Sequence, residues 1–245
     1  MTIPGNLIAN ADDFGYNSSV NKAIVYCFEQ GYINSTSLMV NTALFDETVQ
    51  LIRQNSTIHN IGVHINLAEG KPVTNFTQDE YLDKNGDWDF NKVNQRVNFF
   101  TAEVKSAFSK EIHAQIDRAI SNKLPINHID SHCHLHTLPC FYKLFSEAAK
   151  SYNLKIRLAQ TFNEGNYLKF YLRKYINSIF KEGNKNYSDY FETVEQFLKD
   201  TRATYNNKGV IEIMLHPYYD QQGMLTDHYD KETMQDWIRY LENVK

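Results

Sequence analysis

The stretch Leu7-Ile8-Ala9-Asn10-Ala11-Asp12-Asp13-Phe14-Gly15 is a short apolar run that ends in two adjacent acids. A run of this length that ends at a turn signal is typical of a buried strand in a parallel sheet. Downstream, Val20, Ile24 and Phe28 recur at helical spacing. Gly31 stands where a helix of that length would end. The opening of the chain therefore predicts a strand followed by a helix.

The same alternation continues along the rest of the chain. Further strands are predicted at 37–40, 61–67, 128–132, 154–158 and 210–215. Further helices are predicted at 46–53, 110–121, 141–151, 165–181, 189–202 and 232–243. Strands that alternate with helices indicate a parallel sheet. The long spacings favour a single-domain α/β barrel over residues 1–245 rather than two small domains.

Composition and charge exclude several classes of protein. The 245 residues carry 25 Lys plus Arg and 29 Asp plus Glu, a formal net charge of -4, so nucleic-acid binding has no electrostatic support. The cysteines Cys27, Cys133 and Cys140 are odd in number, which argues against a disulfide framework. The first residues do not resemble a signal peptide, and no apolar run approaches the ~20 residues that span a bilayer. We therefore expect a cytoplasmic protein with no nucleic-acid or membrane partner.

Polar residues fall at the C-terminal ends of the predicted strands, the edge at which parallel α/β folds place their active sites. The set comprises Asp12, Asp13, His64, Asp130, His132, Arg157 and His216. Of the two adjacent acids, one could bind a metal while the other faces a substrate; the alternative is a simple turn ahead of Gly15. His64 and His216 could equally be histidines that hydrogen-bond within the core or at a strand end.

The segment 128–136 reads His-Ile-Asp-Ser-His-Cys-His-Leu-His. While the chain stays extended, its alternate residues share one face, and these are His128, Asp130, His132, His134 and His136. Imidazole and carboxylate groups together suit Zn, Mn, Co or Ni. Two histidines and one carboxylate leave positions open for water and substrate, as a hydrolytic site requires. A solvated, histidine-rich turn is the alternative.

Taken in order, these motifs resemble those of the YdjC-like carbohydrate deacetylases. The resemblance rests on residues 10–15, on 62–67 followed by 70–72, on 128–132 with His134 and His136, and on 212–217. It spans nearly the whole chain. It implies a (β/α) barrel that is often irregular, with about seven parallel strands.

The resemblance also implies an activity and a site. The implied enzyme is a metal-dependent hydrolase that removes the N-acetyl group from an amino sugar or chitooligosaccharide and releases acetate. It would use one divalent metal ion, Mg²⁺ or Zn²⁺, and could be a homodimer. The implied metal ligands are Asp13, His64 and His132. The implied catalytic residues are Asp12 as the base, His216 as the acid and Arg157 as the group that orients the base.

Two other functions remain open at this point. His132-Cys133-His134 is a His-x-His sequence, which also occurs in metal-dependent phosphoesterases and amidohydrolases built on barrels. Those proteins carry it on the first strand, however, whereas the first strand here carries Asp12 and Asp13. A non-catalytic sugar-binding protein is less favoured, because every position of the implied site is filled.

Residues 68–108 interrupt the strand and helix pattern. Long connections without regular structure are uncommon and are often functional lids. We predict a lid or rim in which Tyr81, Trp88 and Phe90 are placed to stack on sugar rings. A small satellite core or a dimer contact is the alternative.

Overall fold

A curled sheet of seven parallel strands forms the centre of the structure. The computed structural model describes residues 1–95, 100–161, 167–182, 188–199 and 209–244. The strands are β1 (Leu7–Phe14), β2 (Ser35–Leu38), β3 (Ile61–Ile65), β4 (Ile126–Ser131), β5 (Lys155–Ile156), β6 (Tyr190–Thr193) and β7 (Ile211–Leu215). Their order across the sheet is β5-β4-β3-β2-β1-β7-β6. This confirms the prediction of an irregular α/β barrel with about seven parallel strands.

Helices cover the outside of this sheet. They are α1 (Ser18–Gln30), α2 (Phe45–Gln54), α3 (Phe90–Val93), α4 (Ala102–Ser121), α5 (Tyr142–Ser151), α6 (Tyr167–Lys181), α7 (Val194–Lys199) and α8 (Thr233–Asn243). A two-stranded antiparallel hairpin, β8 (Pro217–Tyr219) and β9 (Leu225–Asp227), follows β7 directly. Among the described helices, none is long and apolar enough to cross a membrane.

The barrel has a seam between β5 and β6, the two edge strands of the described sheet. Thr161, beyond the end of β5, donates its backbone N–H to the carbonyl oxygen of Phe191 in β6, with 3.1 Å between N and O. The hydroxyl of Thr161 in turn accepts the backbone N–H of Phe191 at 3.2 Å. A loop contact therefore bridges the seam, and the barrel is nearly closed without an eighth strand pairing there.

The prediction of one helix over 189–202 was wrong. Residues 190–193 form β6, which pairs with β7, and α7 begins only at Val194; residues 200–202 lie outside the described part of the chain. The sequence Tyr-Phe-Glu-Thr contains aromatic and β-branched residues that suit a strand. A strand of four residues is too short for its period to be recognised beside a helix.

The end of β1 contains a bulge. Ala11 pairs with Thr36 and Phe14 pairs with Leu38, so three steps along β1 match two steps along β2. Asp13 within the bulge has φ of 66°, a left-handed conformation that aspartate tolerates better than most residues. Bulges commonly re-aim side chains beside active sites. Here the bulge directs Asp12 and Asp13 toward different partners.

The segment 68–108 packs its aromatic residues inward. Trp88 is only 5% exposed, and its ring lies 4.7 Å from Phe76 and 5.9 Å from Phe108 between centroids. Tyr81 packs edge-on against Phe108 at 5.0 Å, and Phe90 is partly buried against the core. The burial of Trp88 therefore contradicts the prediction that its ring stacks on a sugar, whereas a lid or rim that includes the half-buried Tyr81 and Phe90 stays a prediction. Phe76, Trp88 and Phe108 belong to the main hydrophobic core rather than to a separate satellite core.

We expect Trp88→Ala to lower the free energy of unfolding by about 3 kcal/mol, because it opens a cavity among packed aromatic rings. Urea unfolding of the purified variant measures this loss. Tyr167→Ala is the control, since that ring is 75% exposed, and its cost should stay below about 1 kcal/mol. Equal stability of the two variants would contradict a packing role for Trp88.

Candidate active site

Three side chains of the types that bind metals converge at the C-terminal edge of the sheet. Asp13 Oδ1 lies 3.2 Å from His64 Nε2 and 2.9 Å from His132 Nδ1. All three residues are buried, and their potential ligand atoms lie within 4.8 Å of one another. Asp13 comes from the bulge of β1, His64 from β3, and His132 follows the last residue of β4. The structure thus brings together the three residues that the family resemblance implied as metal ligands.

A second carboxylate orients His64. Asp130 Oδ1 lies 2.7 Å from His64 Nδ1, and Asp130 Oδ2 accepts the hydroxyl hydrogen of Ser37 at 2.8 Å. Because an ionised carboxylate only accepts hydrogen bonds, Nδ1 of His64 carries the proton and Nε2 faces Asp13. Such a carboxylate behind a histidine is typical of metal sites. The alternating pattern in 128–136 contained Asp130, but nothing in it indicated this role.

The charges around these three residues fit a divalent cation. Burial alone would raise the pKa of the Asp13 carboxyl, but hydrogen bonds from His132 and His64 hold it well below its usual range. Burial likewise opposes protonation of His64, yet Asp130 and Asp13 raise its pKa to about 10. The histidine nitrogens therefore hold protons where a cation can replace them. Two imidazoles and one carboxylate form a donor set suited to zinc and related ions.

The other aspartate of the pair, Asp12, is held by a buried arginine. Arg157 donates from Nη1 to Asp12 Oδ2 at 2.6 Å and from Nη2 to Asp12 Oδ1 at 2.7 Å. Asn10 Nδ2 adds a third donor at 2.8 Å. The same guanidinium contacts Asp130 Oδ2 at 2.8 Å and donates from Nε to Glu212 Oε1 at 2.5 Å. Arg157 thereby fixes the Asp12 carboxylate in one orientation.

This buried group of charges keeps Asp12 ionised. Burial would raise the pKa of Asp12, but the Arg157 guanidinium lowers it below its usual value. For Arg157, the three carboxylates outweigh burial and raise its pKa. Burial raises the pKa of Glu212 to about 8. Asp12 is thus an anion that can accept a proton, whereas Glu212 is the carboxyl of this group that most readily keeps one.

His216 stands between two carboxylates. Its Nε2 lies 3.9 Å from Asp12 Oδ2, and its Nδ1 lies 3.9 Å from Asp227 Oδ1. Asp227 also accepts the backbone N–H of His216 at 2.7 Å, and the ring of Tyr229 packs edge-on at 4.4 Å. Asp227 ends strand β9 of the hairpin, which no sequence motif indicated. Asp130, which also ends a strand at this edge, pairs with His64, Ser37 and Arg157.

The extended alternation predicted for 128–136 does not continue to His134 and His136. The strand ends at Ser131, and Cys133 and His134 both have φ of 54°, so the extended alternation stops there. His128 is buried on β4 directly over Gly62, where a Cβ would lie 2.3 Å from its Nε2. His136 is buried with Nδ1 2.7 Å from the hydroxyl oxygen of Ser131. These two histidines belong to the core rather than to a metal site.

Two cavities meet beside Asp12, His132 and His216. The larger, of about 360 Å³, is lined by His64, His134, Val194 and Met214 among others. The smaller, of about 40 Å³, is lined by Asp13, Tyr16, Val20 and Glu69 among others. The walls of both include Asp12, His132, His216 and Tyr229. Within the described part of 68–108, Glu69 approaches the site, with Oε1 3.7 Å from His132 Nε2.

A barrel with buried acids and histidines at its C-terminal edge is the architecture of many hydrolases. The family model for YdjC-like proteins matches residues 6–242, and the chain belongs to that family. A carbohydrate deacetylase from Brevibacillus brevis is 32% identical over 226 residues, which cover 90% of this chain and 84% of the relative. A chitooligosaccharide deacetylase from Yersinia pestis is 28% identical over 231 residues, covering 91% and 85%.

Solved structures share the fold at lower identity. A crystal structure from Enterococcus faecalis, provisionally named a cellobiose-phosphate cleavage protein, has a TM-score of 0.69 and 23% identity. The match covers 96% of this chain and 88% of the other. A lactam utilization protein from Thermus thermophilus has a TM-score of 0.52 and 12% identity, with coverage of 100% and 97%. Both similarities concern the fold alone.

Proposed function

We propose that this chain is a metal-dependent carbohydrate deacetylase that hydrolyses the N-acetyl group of an amino sugar or chitooligosaccharide and releases acetate. One observation carries the proposal: the Asp12 carboxylate, fixed by Arg157, lies beside the converging side chains of Asp13, His64 and His132. The names of the two relatives support the substrate class. The cavity of about 360 Å³ falls within the range of small-molecule sites.

Asp13, His64 and His132 would hold the metal ion. When bound, a divalent cation would supply polarisation of the acetyl carbonyl and acidify a water molecule. Two imidazole ligands favour Zn²⁺ over Mg²⁺ at this position. Asp130 keeps Nε2 of His64 turned toward Asp13, so the ligand geometry is prepared in advance.

Asp12 would act as the general base. Its lowered pKa means that it is ionised at neutral pH and can accept the proton of the attacking water. Arg157 and Asn10 hold both carboxylate oxygens, so the position of the base does not depend on the substrate. Arg157 would serve as a positioning residue for Asp12.

His216 would act as the general acid. An amide nitrogen is a poor leaving group until it is protonated, and His216 Nε2 lies 3.9 Å from Asp12 Oδ2, beside the base. Asp227 lies 3.9 Å from the opposite ring nitrogen and accepts the backbone N–H of His216, so it helps to hold the ring beside Asp12. The two groups would thus move one proton from the water to the departing amine.

The larger cavity does not favour a phosphoesterase. Its described lining includes Asp12, Glu195, Asp227 and Asp230 but no lysine or arginine that could bind a phosphate. His134 of the His-x-His sequence lies outside the group of Asp13, His64 and His132. A screen of N-acetylated sugars with Mg²⁺ or Zn²⁺, read by acetate release, tests the proposal. Release of phosphate from sugar phosphates without acetate release would contradict it.

We expect His216→Ala to lower cleavage of an N-acetyl sugar by about 10²–10⁴-fold. Hydrolysis of an activated acetate ester should fall far less, because its leaving group needs little protonation, and metal content should stay unchanged. His59→Ala is the control, an exposed histidine on the loop before β3. Equal losses on the amide and the ester would mean that His216 has another role.

Three finer points stay predictions: the identity of the metal, a homodimer and a cytoplasmic location. Metal analysis after purification tests the first point, sedimentation tests the second and cell fractionation tests the third. The sugar and the length of its oligosaccharide belong to the same screen of substrates.

A further inference from the structure

The smaller cavity lies on one side of the residues that would cleave the amide. Of the two cavities, Asp13 lines the smaller but not the larger, and His64 lines the larger but not the smaller. His132 contributes to the walls of both, as do Asp12 and His216. The three metal-type side chains therefore stand at the boundary between the two spaces.

An amide bound at that boundary has two substituents to accommodate. The carbonyl carbon carries the nitrogen with its sugar on one side and the acyl chain on the other, and the two diverge from the point of attack. The larger cavity has room for a small-molecule ligand. The smaller cavity has a volume of about 40 Å³. Since a water-sized group needs roughly 10–15 Å³, this cavity has room for about three such groups. This space matches the size of an acetyl group, whereas the larger cavity is the one with room for a pyranose ring.

The wall of the smaller cavity is fixed in place. Val20 is the third residue of α1 and is 5% exposed. Its backbone N–H is bonded to the side chain of Asn17, which caps the helix. Tyr16 stacks on His132 with 6.4 Å between ring centroids. Because the capped helix α1 holds Val20, the Val20 side of the cavity cannot easily widen for a longer chain.

We propose that the smaller cavity is the acyl pocket and that Val20 restricts the acyl group to acetyl. This inference rests on the proposed deacetylase function. It assigns the sugar to the larger cavity, and it makes the acyl group, rather than the sugar, the part of the substrate that the enzyme selects by size. Each methylene added beyond acetyl should reduce kcat/KM by about 10–200-fold, the usual range for one methylene in a close-fitting pocket.

The test uses glucosamine carrying N-formyl, N-acetyl, N-propionyl or N-butyryl groups, with free amine as the readout. Val20→Ala should raise the propionyl-to-acetyl ratio of kcat/KM by at least about tenfold. Val194→Ala is the matched control, because this valine is also buried but lines the larger cavity. It should change KM for all four substrates alike and leave the ratio unchanged. Val20→Leu should favour formyl over acetyl, which gives a second reading in the opposite direction.

Wild-type enzyme that cleaves N-butyryl as fast as N-acetyl would overturn the pocket assignment and leave the deacetylase function intact. A shift of the ratio in Val194→Ala but not in Val20→Ala would also overturn it. Failure to cleave any of the four substrates, together with no acetate release from any N-acetylated sugar or oligosaccharide of the screen, would overturn the proposed function and the pocket with it. Cleavage limited to formyl and acetyl, relaxed only by Val20→Ala, would establish the assignment.

Discussion

Asp12→Asn is expected to lower turnover of an N-acetylated sugar by about 10³–10⁴-fold while the protein keeps its metal, an effect at the upper end for one acid–base group. The amide has the size of the carboxylate and can still accept one hydrogen bond from Arg157. It cannot take up the proton of a water molecule. Kinetics on an N-acetyl sugar, with metal content measured on the same preparation, check this expectation.

Asp13→Asn is the matched control, since it makes the same chemical change one residue along the chain. Asp13 Oδ1 faces both His64 Nε2 and His132 Nδ1, so this variant should lose metal affinity itself. The two adjacent variants should therefore separate turnover from metal binding. If both lose metal equally, the division of roles between the two aspartates is wrong.

His132→Ala is expected to abolish metal binding and, with it, at least about 10³-fold of the activity. Two remaining ligands seldom hold a catalytic divalent ion, because such sites use three protein groups. The measurement is metal content by mass spectrometry together with a thermal melt that checks the fold.

Since carboxylates raise the pKa of His64, metal affinity should also decrease as the pH falls and protons compete for its nitrogen.

His134→Ala serves as the control for this loss. His134 is the other histidine of the His-x-His sequence, yet its ring packs 5.8 Å from the ring of Phe191 rather than beside Asp13. Metal content should therefore stay at the wild-type level. Full metal occupancy in His132→Ala, with loss in His134→Ala, would transfer the ligand role to His134.

Most of the sheet could be predicted because its strands are short apolar runs that end in polar residues. β1, β3 and β7 have this pattern, whereas β4 is mostly polar, and the structure places each of the four within a few residues of the predicted bounds. β6 was missed because four residues are too few to show a period. What defines this strand is its pairing with β7, which comes later in the chain. The hairpin β8–β9 was missed for a related reason, since its strands of three residues are also too short to show a period.

Some residues of the candidate site could likewise be predicted from the sequence, and others could not. Residues at strand ends, such as Asp13 and His132, could be identified because parallel topology brings strand ends together. Asp227 could not, since it lies on a short antiparallel strand after a turn, and only the folded hairpin brings it to His216. The roles of Asp130 and Glu212 were equally hidden. Each acts by contacting another charged side chain, and such pairing leaves no periodic trace in the sequence.

The bulge in β1 also constrains how this site can change during evolution. Only Asp12 and Asp13 stand between Ala11 and Phe14, so a deletion that restored regular pairing with β2 would also remove one of the two acids. A single carboxylate would then remain at this point of the C-terminal edge. Insertions and deletions can accumulate in loops that merely frame the cavities, but the length of this turn is tied to the presence of two independent carboxylates. Lineages that keep the chemistry should therefore vary around this turn by substitution and not by changes in length.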